Sequence, residues 1–302
     1  MLVYIKLVLT ALFWGGTFVA GRIVAREVGP FSASFLRFLT ASVFLALILW
    51  RVEGRIPIPG RNRIFPLVLL GLTGVFSYNV FFFLGLERIE AGRASLIIAN
   101  NPVFITLFSA LIFRDRLPSL AVLGILCSLL GAAVVITRGD VAQALQGGAG
   151  LGELFIFCCV LSWVAYSLIG KAVLVTLSPL VTVSWAAFIG TAALLVPACL
   201  EGLTGEFLTF PASSWFGILY LGLFGTVAGF VWYYRGIQEI GPARASQFIN
   251  LVPVSAVLLA SIILDEPLGL SLVAGGVLVL SGITLTNRAV RARRTDAAAH
   301  RS

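Results

Sequence analysis

Charged side chains are scarce in this chain of 302 residues, and that scarcity excludes most soluble folds. Only 11% of the residues are Asp, Glu, Lys or Arg, whereas 59% are hydrophobic. A soluble domain carries roughly 25% charged residues, which is more than twice the fraction found here. We therefore expect an integral membrane protein rather than two soluble domains.

Histidine and cysteine are also rare, and their placement excludes several kinds of site. The one histidine, His300, lies in the C-terminal tail. The four cysteines fall inside apolar segments without a CxxC pair, which argues against a disulfide framework and against a metal site. Walker A, HExxH and GxSxG signatures are missing as well. We expect no enzymatic activity, no cofactor and no metal.

Acidic residues are missing from the centres of the apolar segments, and this bears on energy coupling. All 13 of them fall at segment ends or in loops. Proton-coupled pumps generally use carboxylates or histidines inside the membrane. For a transporter, this pattern predicts facilitated exit or exchange without a buried proton relay. Coupling through an end carboxylate such as Glu87 or Glu90 stays open.

Long apolar runs are what the chain has in abundance. Each run contains the roughly 20 residues that one membrane-spanning helix needs. The runs are continuous rather than alternating, so helices are favoured over a barrel. The first run lacks a preceding basic region and is expected to be a retained helix. The ten predicted spans are 4–24, 31–50, 64–86, 91–113, 118–137, 151–170, 179–200, 214–235, 243–264 and 269–287.

The basic residues are distributed unevenly between the two ends of these spans. With the N-terminus placed in the cytoplasm, 15 of the 21 basic residues fall on the cytoplasmic side and five on the other. The positive-inside rule then predicts that both termini are cytoplasmic. We interpret the net charge of +8 as a topology signal and expect no nucleic-acid partner. The basic tail, residues 289–302, either contacts anionic lipid or is merely solvated.

An internal repeat organises the chain. The block Gly85–Gly131 recurs as Gly236–Gly282 without a gap, and 15 of the 47 aligned residues are identical. This predicts a first five-helix repeat at 1–142, a linker at 143–150 and a second five-helix repeat at 151–288. Because five is odd, the second copy enters the membrane from the opposite face. The predicted fold is therefore all-α, with ten transmembrane helices in two inverted repeats, as in secondary transporters with a midplane site.

Each repeat carries one proline inside its fourth helix. Pro102 and Pro253 cannot donate the usual helical hydrogen bond, which frees the carbonyls of Ile98 and Ile249. Side-chain amides beside these breaks either bond to neighbouring helices or form a polar spot in a central cavity, and the symmetric placement favours the cavity. The amides are those of Asn100, Asn101, Gln247 and Asn250.

Aromatic residues recur at matching positions of helices 1 and 6. Trp14 and Thr17 share one helical face, and Trp163 and Tyr166 occupy the equivalent face of the second repeat. Tryptophan prefers the membrane interface, yet both indoles lie about ten residues inside their helices. They line a cavity or pack between helices, and the sequence leaves both open.

Three of the arginines within the predicted helices need a partner or an interface contact to be explained. Arg37 is the deepest, and we expect it to reach the interface or to pair with a loop acid such as Glu27 rather than to contact a solute. Arg93 and Arg244 start helices 4 and 9, where the helix dipole disfavours cations. We expect them to pair with nearby acids and to staple the helix ends. The expected partners are Glu87 or Glu90 for Arg93, and Glu239 for Arg244.

Three stretches resemble those of a known family. They are ALFWGGTFVAGRIV in helix 1, FLRFLTA in helix 2, and GLERIEAGRASLIIANNPVFITLFSALIFRDRL together with the equivalent stretch of the second repeat. Over residues 4–288 the chain resembles EamA-type members of the drug/metabolite transporter superfamily. The resemblance implies ten helices, cytoplasmic termini and export of metabolites such as amino acids across the inner (plasma) membrane. The aromatic-rich helices look like those of exporters of aromatic and other neutral amino acids.

The resemblance also implies which residues line the central cavity, because that family builds it largely from helices 1, 3, 4, 6, 8 and 9. Carried onto this chain, the substrate-binding candidates are Trp14, Thr17, Tyr78, Asn79, Ser95, Asn101, Trp163, Tyr166, Tyr233, Gln247 and Asn250.

The expected function is secondary transport of small metabolites, above all neutral or aromatic amino acids, by alternating access in the lipid bilayer. A broad exporter of cationic drugs is the alternative, in which Trp14 and Trp163 would supply cation–π contacts. A membrane enzyme or scaffold is disfavoured by the missing catalytic groups. The oligomeric state stays open.

Overall fold

The structure is a computed structural model that describes residues 1–113, 117–140 and 150–299. Within these ranges ten helices are long and apolar enough to cross a membrane, which confirms the predicted all-α membrane fold. They are α1 (Leu2–Ala25), α2 (Pro30–Glu53), α3 (Arg61–Leu86), α4 (Ala91–Ile112), α5 (Ser119–Thr137), α6 (Leu151–Val173), α7 (Pro179–Glu201), α8 (Ala212–Ile237), α9 (Ser246–Ile263) and α10 (Leu270–Val290).

The ends of the repeats are only partly described. The predicted linker, residues 143–150, lies outside the described residues except for Gly150. The last helix runs on past the predicted span to Ala299 and so includes much of the predicted tail. We call the membrane side that holds the ends of the chain the terminal side, and the other the far side.

The two prolines interrupt their helices where the sequence predicts. In α4, one helical piece ends at Ile98 and the next begins at Asn101, so that Pro102 occupies its second position. The Asn100 side chain donates hydrogen bonds to the carbonyls of Leu96 (3.0 Å) and Ile97 (3.3 Å) across the break. In α9 the corresponding break is a 3₁₀ turn, Ser246–Asn250, that leads into the helix containing Pro253.

Two wide π-helical turns at equivalent positions of the repeats are absent from the sequence-based prediction. They are Gly71–Ser77 in α3 and Leu221–Ala228 in α8. Each begins beside a GLxG sequence that recurs at an offset of 151 residues. The glycines let neighbouring helices approach closely: a Cβ built at Gly71 would lie 3.0 Å from the Ala186 carbonyl oxygen of α7. The turns therefore sit where α3 and α8 press against α7 and α2.

Contacts between the two halves are reciprocal. A Cβ built at Gly124 of α5 would lie 2.7 Å from the Gly282 carbonyl oxygen of α10, and one built at Gly131 would lie 2.7 Å from the Gly275 carbonyl oxygen. Gly124 and Gly131 are the repeat counterparts of Gly275 and Gly282. Each glycine thus packs on the counterpart of the other, as a two-fold relation between the halves requires.

A hydrogen bond between α2 and α7 follows the same pattern. The hydroxyls of Ser42 and Thr191 lie 3.0 Å apart, and these residues are repeat counterparts at an offset of 149. A contact between equivalent residues places the bond on the axis that relates the two halves.

Candidate functional site

A central cavity of about 580 Å³ lies between the halves. Ligand-binding pockets generally measure roughly 300–1,000 Å³, so the space suits a small metabolite. Side chains from α1–α4 and α6–α10 line it. The π-helical turns and the proline breaks of both repeats contribute to the wall, through Gly74, Gly225, Pro102 and Pro253.

The lining extends towards the terminal side. It includes Val183 near the start of α7, Tyr233 in the last third of α8 and Asn287 near the end of α10, and these ends all lie on the terminal side. On the far side it includes Ser95, the fifth residue of α4, and Arg37, the eighth residue of α2. The lining therefore spans the middle of the membrane and reaches towards both sides.

Hydrophobic packing closes the far side. Val24, Leu86, Ile89, Ile156 and Ala260 are buried in one large cluster where helix ends meet on that side. The cluster separates the cavity from the far-side loops. A smaller buried cluster, formed by Leu67, Leu70, Val173 and Ala186, lies towards the terminal side.

An ion pair lies within this closed region. Arg93 at the start of α4 donates to the Glu153 carboxylate of α6 at 2.6 Å, and both side chains are almost fully buried. Glu90 is farther away, 4.0 Å from the Arg93 Nε. The expected partner Glu90 is thus secondary, and the main partner, Glu153, comes from the other half of the chain.

Two further carboxylates hold helix starts across the halves. Glu201, at the end of α7, accepts from the backbone N–H groups of Phe31 (3.2 Å) and Ser32 (2.6 Å) at the start of α2. Glu266, just beyond α9, accepts from Ala91 (2.7 Å) and Gly92 (2.9 Å) at the start of α4.

Carboxylates stabilise helix N-termini by satisfying free N–H groups and by complementing the helix dipole. Both acids belong to the second half and both capped helices to the first. On the far side, therefore, polar contacts as well as apolar packing join the two repeats.

Two aromatic clusters contribute to the wall of the cavity. In one, Trp163 of α6 lies 5.4 Å from Tyr78 and 5.2 Å from Tyr166, measured between ring centroids. In the other, Trp14 of α1 lies 5.3 Å from Tyr233 and 5.7 Å from Phe230. Such spacings are typical of interacting aromatic rings.

The two tryptophans differ in their hydrogen bonding. The Trp14 indole N–H donates to the Gly225 carbonyl in the π-helical turn of α8, at 2.9 Å. Within the described residues, nothing accepts a hydrogen bond from the Trp163 indole. Trp14 therefore has a defined structural contact, whereas the Trp163 N–H is left available.

Several polar side chains of the lining are already bonded within their own helices. The Thr17 hydroxyl donates to the Trp14 carbonyl at 2.6 Å, and the Ser95 hydroxyl donates to the Gly92 carbonyl at 2.7 Å. Asn79 donates to the Val75 carbonyl at 2.8 Å. These groups contribute shape and limited acceptor capacity rather than free donors.

The amide of Asn101 is different. Its oxygen is buried in the cavity wall without a hydrogen-bond partner among the described residues. Its neighbour Asn100 points the other way, bonds across the helix break and accepts from the Ser128 hydroxyl of α5 at 2.7 Å. One amide of the pair thus supports the break, and the other faces the cavity unpaired, where a buried polar group requires a partner.

Arg37 of α2 lines the cavity and is 8% exposed. It forms a 2.7 Å hydrogen bond to the Asn79 side-chain oxygen. The sequence predicts that Arg37 reaches the interface or pairs with Glu27. Its buried position in the cavity wall agrees with neither prediction. Arg244, the third arginine considered, is exposed and forms no ion pair with Glu239 in the part of the chain that the structure describes.

The structure brings ten of the eleven candidate residues to this one cavity. Gln247 is the exception, because it lies exposed on the 3₁₀ turn of α9 and is not part of the lining. Side chains three residues apart eclipse in a 3₁₀ turn, so the turn itself does not explain why Gln247 lies apart from Asn250. The ten are Trp14, Thr17, Tyr78, Asn79, Ser95, Asn101, Trp163, Tyr166, Tyr233 and Asn250.

Sequence reasoning missed lining residues on α2, α7 and α10. Besides Arg37, these include Phe38, Ala186, Ala187 and Asn287. Arg37 carried a usable signal, since an ionisable residue inside a membrane helix is a functional candidate by default. For the alanines no signal exists in a single sequence.

Comparisons with known proteins agree with this architecture. The model of the "EamA-like transporter family" matches the chain twice, at residues 1–137 and 150–288. A crystal structure that is 20% identical has a TM-score of 0.61 and covers 96% of this chain and 98% of its own, which supports the fold alone.

Curated relatives are similar over almost their whole length. An uncharacterised transporter, YyaM, of Bacillus subtilis is 29% identical, and the match covers 96% of this chain and 94% of the relative. An uncharacterised transporter of Archaeoglobus fulgidus is 32% identical, with coverage of 94% and 98%. A "probable terminal-alkyne amino-acid exporter" of Streptantibioticus cattleyicolor is 32% identical, with coverage of 96% and 95%. With its ten helices and both halves matched, this chain belongs to the EamA-like transporter family.

Proposed function

We propose that this protein exports neutral amino acids, preferentially aromatic ones, or similar small amphipathic metabolites across the plasma membrane. The solute would enter the cavity from the terminal side and leave on the far side. The termini would be cytoplasmic, as the distribution of basic residues predicts. The substrate class, the orientation of the chain in the membrane and the direction of transport all go beyond membership of the transporter family.

The observation that carries the proposal is the composition of the cavity wall. Two aromatic clusters line a space of about 580 Å³, and the Asn101 amide, whose oxygen has no partner among the described residues, lies in the same wall. Aromatic rings suit an apolar side chain, and a few polar groups fix its orientation. An amphipathic solute with one apolar and one polar end matches this arrangement.

The name of one relative supports the same substrate class. The protein of Streptantibioticus cattleyicolor, 32% identical over 295 residues, is described as a probable exporter of terminal-alkyne amino acids. A terminal alkyne is an apolar side-chain group, so that solute also joins an apolar end to an amino-acid end.

The contacts that close the far side support alternating access as the mechanism. The far side is closed by apolar packing, the Arg93–Glu153 ion pair and the carboxylates of Glu201 and Glu266. Release on that side requires these contacts to open while the terminal side closes, as the rocking of two repeats about a central site would achieve.

A cationic drug is a poorer match for the same wall. No Asp or Glu of the described residues lines the cavity, and the one charged side chain in that lining is Arg37. A like charge at close range in a low-dielectric site disfavours a cation. The aromatic contacts of Trp14 and Trp163 alone do not offset that repulsion.

Counterflow in proteoliposomes tests the proposal. Purified protein would be reconstituted with unlabelled amino acid inside, and uptake of labelled phenylalanine, tyrosine, leucine, lysine and a cationic dye would be followed. We expect saturable counterflow of the aromatic amino acids, weaker counterflow of leucine, and none of lysine or the dye. Empty liposomes are the control. Saturable flux of the dye alone, or of no compound in the panel, would refute the proposal.

A further inference from the structure

Arg37 is a buried cation without a counter-ion. The described part of the chain contains four ion-pair contacts, and they involve Arg88, Arg93 and Arg138 but not Arg37. No acidic residue lies in the described lining of the cavity either. A buried charge is costly unless an opposite charge compensates for it.

The contacts that Arg37 does make are with uncharged groups. They are the Asn79 amide oxygen and the rings of Phe38 and Phe82, at 5.4 Å and 5.9 Å from the guanidinium carbon. They hold the side chain in place and partly replace its hydration. They leave its net charge uncompensated.

One edge of the guanidinium is free. Asn79 is bonded to Nη1, whereas Nε is buried without a hydrogen-bond partner among the described residues. No bond from Nη2 to another described residue occurs, and the π-helical turn of α8 lies beside this atom, since a Cβ built at Gly225 would lie 3.9 Å from Nη2. Nε and Nη2 form the edge of arginine that binds a carboxylate through two parallel hydrogen bonds.

We propose that Arg37 is the specificity-determining residue of the site and binds the carboxylate of the transported solute. The inference rests on the proposed transport function and narrows it to carboxylate-bearing solutes. The carboxylate lies at the α2 wall of the cavity, and the apolar end lies between the aromatic clusters. Asn79 is a positioning residue, because it fixes the guanidinium without contacting the solute.

The carboxylate of an amino acid should contribute more to the binding affinity than its ammonium group does. The ammonium meets an uncharged amide, that of Asn101, whereas the carboxylate meets a full charge. In a site of low dielectric constant, two opposite charges attract each other more strongly than a charge and a neutral amide do. Removing the amino group of the solute therefore costs less affinity than removing its carboxylate.

Binding to the purified full chain in detergent tests this ranking without any need for transport. The probes are phenylalanine, 3-phenylpropionate, which lacks the amino group, and phenethylamine, which lacks the carboxylate; leucine with its two matched analogues forms a second series. Calorimetry would give the affinities. We expect phenethylamine to bind at least tenfold more weakly than 3-phenylpropionate. Equal or stronger binding of the amine, or no binding of any carboxylate, would overturn the inference.

The variant Arg37→Gln removes the charge and keeps a donor for Asn79. We expect it to weaken binding of both carboxylates by roughly ten- to hundredfold, the loss typical of one charge-assisted interaction. Phenethylamine should bind as well as before or better. Arg37→Lys should keep part of the preference, and Arg244→Gln, which alters an exposed arginine, should change nothing. Unchanged carboxylate affinity in Arg37→Gln would contradict the inference.

Thermal unfolding separates binding from a merely structural role. Without ligand, Arg37→Gln should unfold at the same temperature as the wild type or higher, because an uncompensated buried charge is lost. A clear fall in Tm would show that Arg37 stabilises the fold and would overturn the inference. If the variant does not fold at all, the wild-type comparison of 3-phenylpropionate with phenethylamine still decides.

Failure of this inference can be told from failure of the proposed function. Carboxylates that bind through Arg37 but show no counterflow would refute export and leave the site assignment standing. Flux of phenethylamine equal to that of phenylalanine would refute the role of Arg37 and leave transport standing.

Discussion

The two halves of the molecule share a backbone plan but differ in the chemistry that they present to the cavity. Both have a π-helical turn in the third helix, a proline break in the fourth and a glycine contact in the fifth. At the cavity wall, however, Arg37 of the first half corresponds to Ala186 of the second, and Asn101 corresponds to Val252.

The difference separates two demands on a transporter. Equivalent backbones allow the halves to exchange roles when the two membrane sides open in turn. An amphipathic solute, by contrast, has unlike ends, and only an asymmetric wall can distinguish them. In the proposed function, the equivalent backbones serve the motion, and the unequal positions Arg37 and Asn101 distinguish the two ends of the solute, while Trp14 and Trp163 line the cavity in both halves.

The two halves should differ most in the stability effects of their equivalent arginines, Arg93 of α4 and Arg244 of α9. Arg93→Ala leaves the Glu153 carboxylate buried without its cation, and such losses cost about 3–5 kcal/mol of stability. Arg244→Ala removes an exposed side chain and should cost no more than about 0.5 kcal/mol. Chemical unfolding in detergent would measure both. Equal losses would mean that the far-side ion pair does not contribute to the closed state as described.

Two adjacent amides offer a sharper contrast within one half. Asn100→Ala removes hydrogen bonds to two carbonyls and to Ser128, and should destabilise the protein by about 1–3 kcal/mol. Asn101→Ala removes an amide whose oxygen is unpaired among the described residues, so stability should be retained while counterflow falls. The opposite pattern, in which Asn101→Ala loses stability and Asn100→Ala loses counterflow, would show that the solute contact is assigned to the wrong amide.

The two tryptophans test whether equivalent positions have equivalent roles. Trp163→Ala should lower counterflow roughly tenfold, the effect of about 1.4 kcal/mol of lost contact, and leave unfolding nearly unchanged. Trp14→Ala should lower both, because its indole also bonds to the Gly225 carbonyl. If Trp163→Ala and Trp14→Ala both transport normally, the aromatic walls do not bind the solute.

The smallest expected effect concerns protons. In the described lining neither half supplies a carboxylate or a histidine. Initial rates of counterflow should therefore change by less than about twofold when a pH gradient is imposed across the liposome membrane. A larger change would indicate proton coupling, and the capping carboxylates Glu201 and Glu266 would then be the first residues to replace.

Much of this architecture could be predicted from the sequence, because a membrane helix is specified by length and hydrophobicity alone. Proline gives its local effect directly, and so Pro102 and Pro253 marked the breaks in α4 and α9. Helical periodicity placed Trp14 with Thr17, and Trp163 with Tyr166, on common faces. Together with the family resemblance, such local rules named ten of the 32 residues that line the cavity.

What the sequence did not reveal depends on contacts between distant segments. The environment of Arg37 depends on which acidic residues lie near it in the folded chain. No pattern in the sequence indicates that acidic residues are missing there. Glu153 lies 60 residues from Arg93, and only the packing of α6 on α4 makes it the partner. Gln247 lies outside the lining although Asn250, three residues further on, is part of it, and no local pattern in the sequence distinguishes the two.

The π-helical turns of α3 and α8 have a consequence for how the cavity walls can move. A π-turn holds one residue more than an α-helical turn of the same rise, so each of these helices contains one extra residue. If the π-turn changed to α-helical hydrogen bonding, the segment that follows would rotate by about 100°, the angle of one residue in an α-helix. Tyr78 and Asn79 follow the first turn and Phe230 and Tyr233 the second, so both sides of the wall could be re-aimed without unfolding a helix.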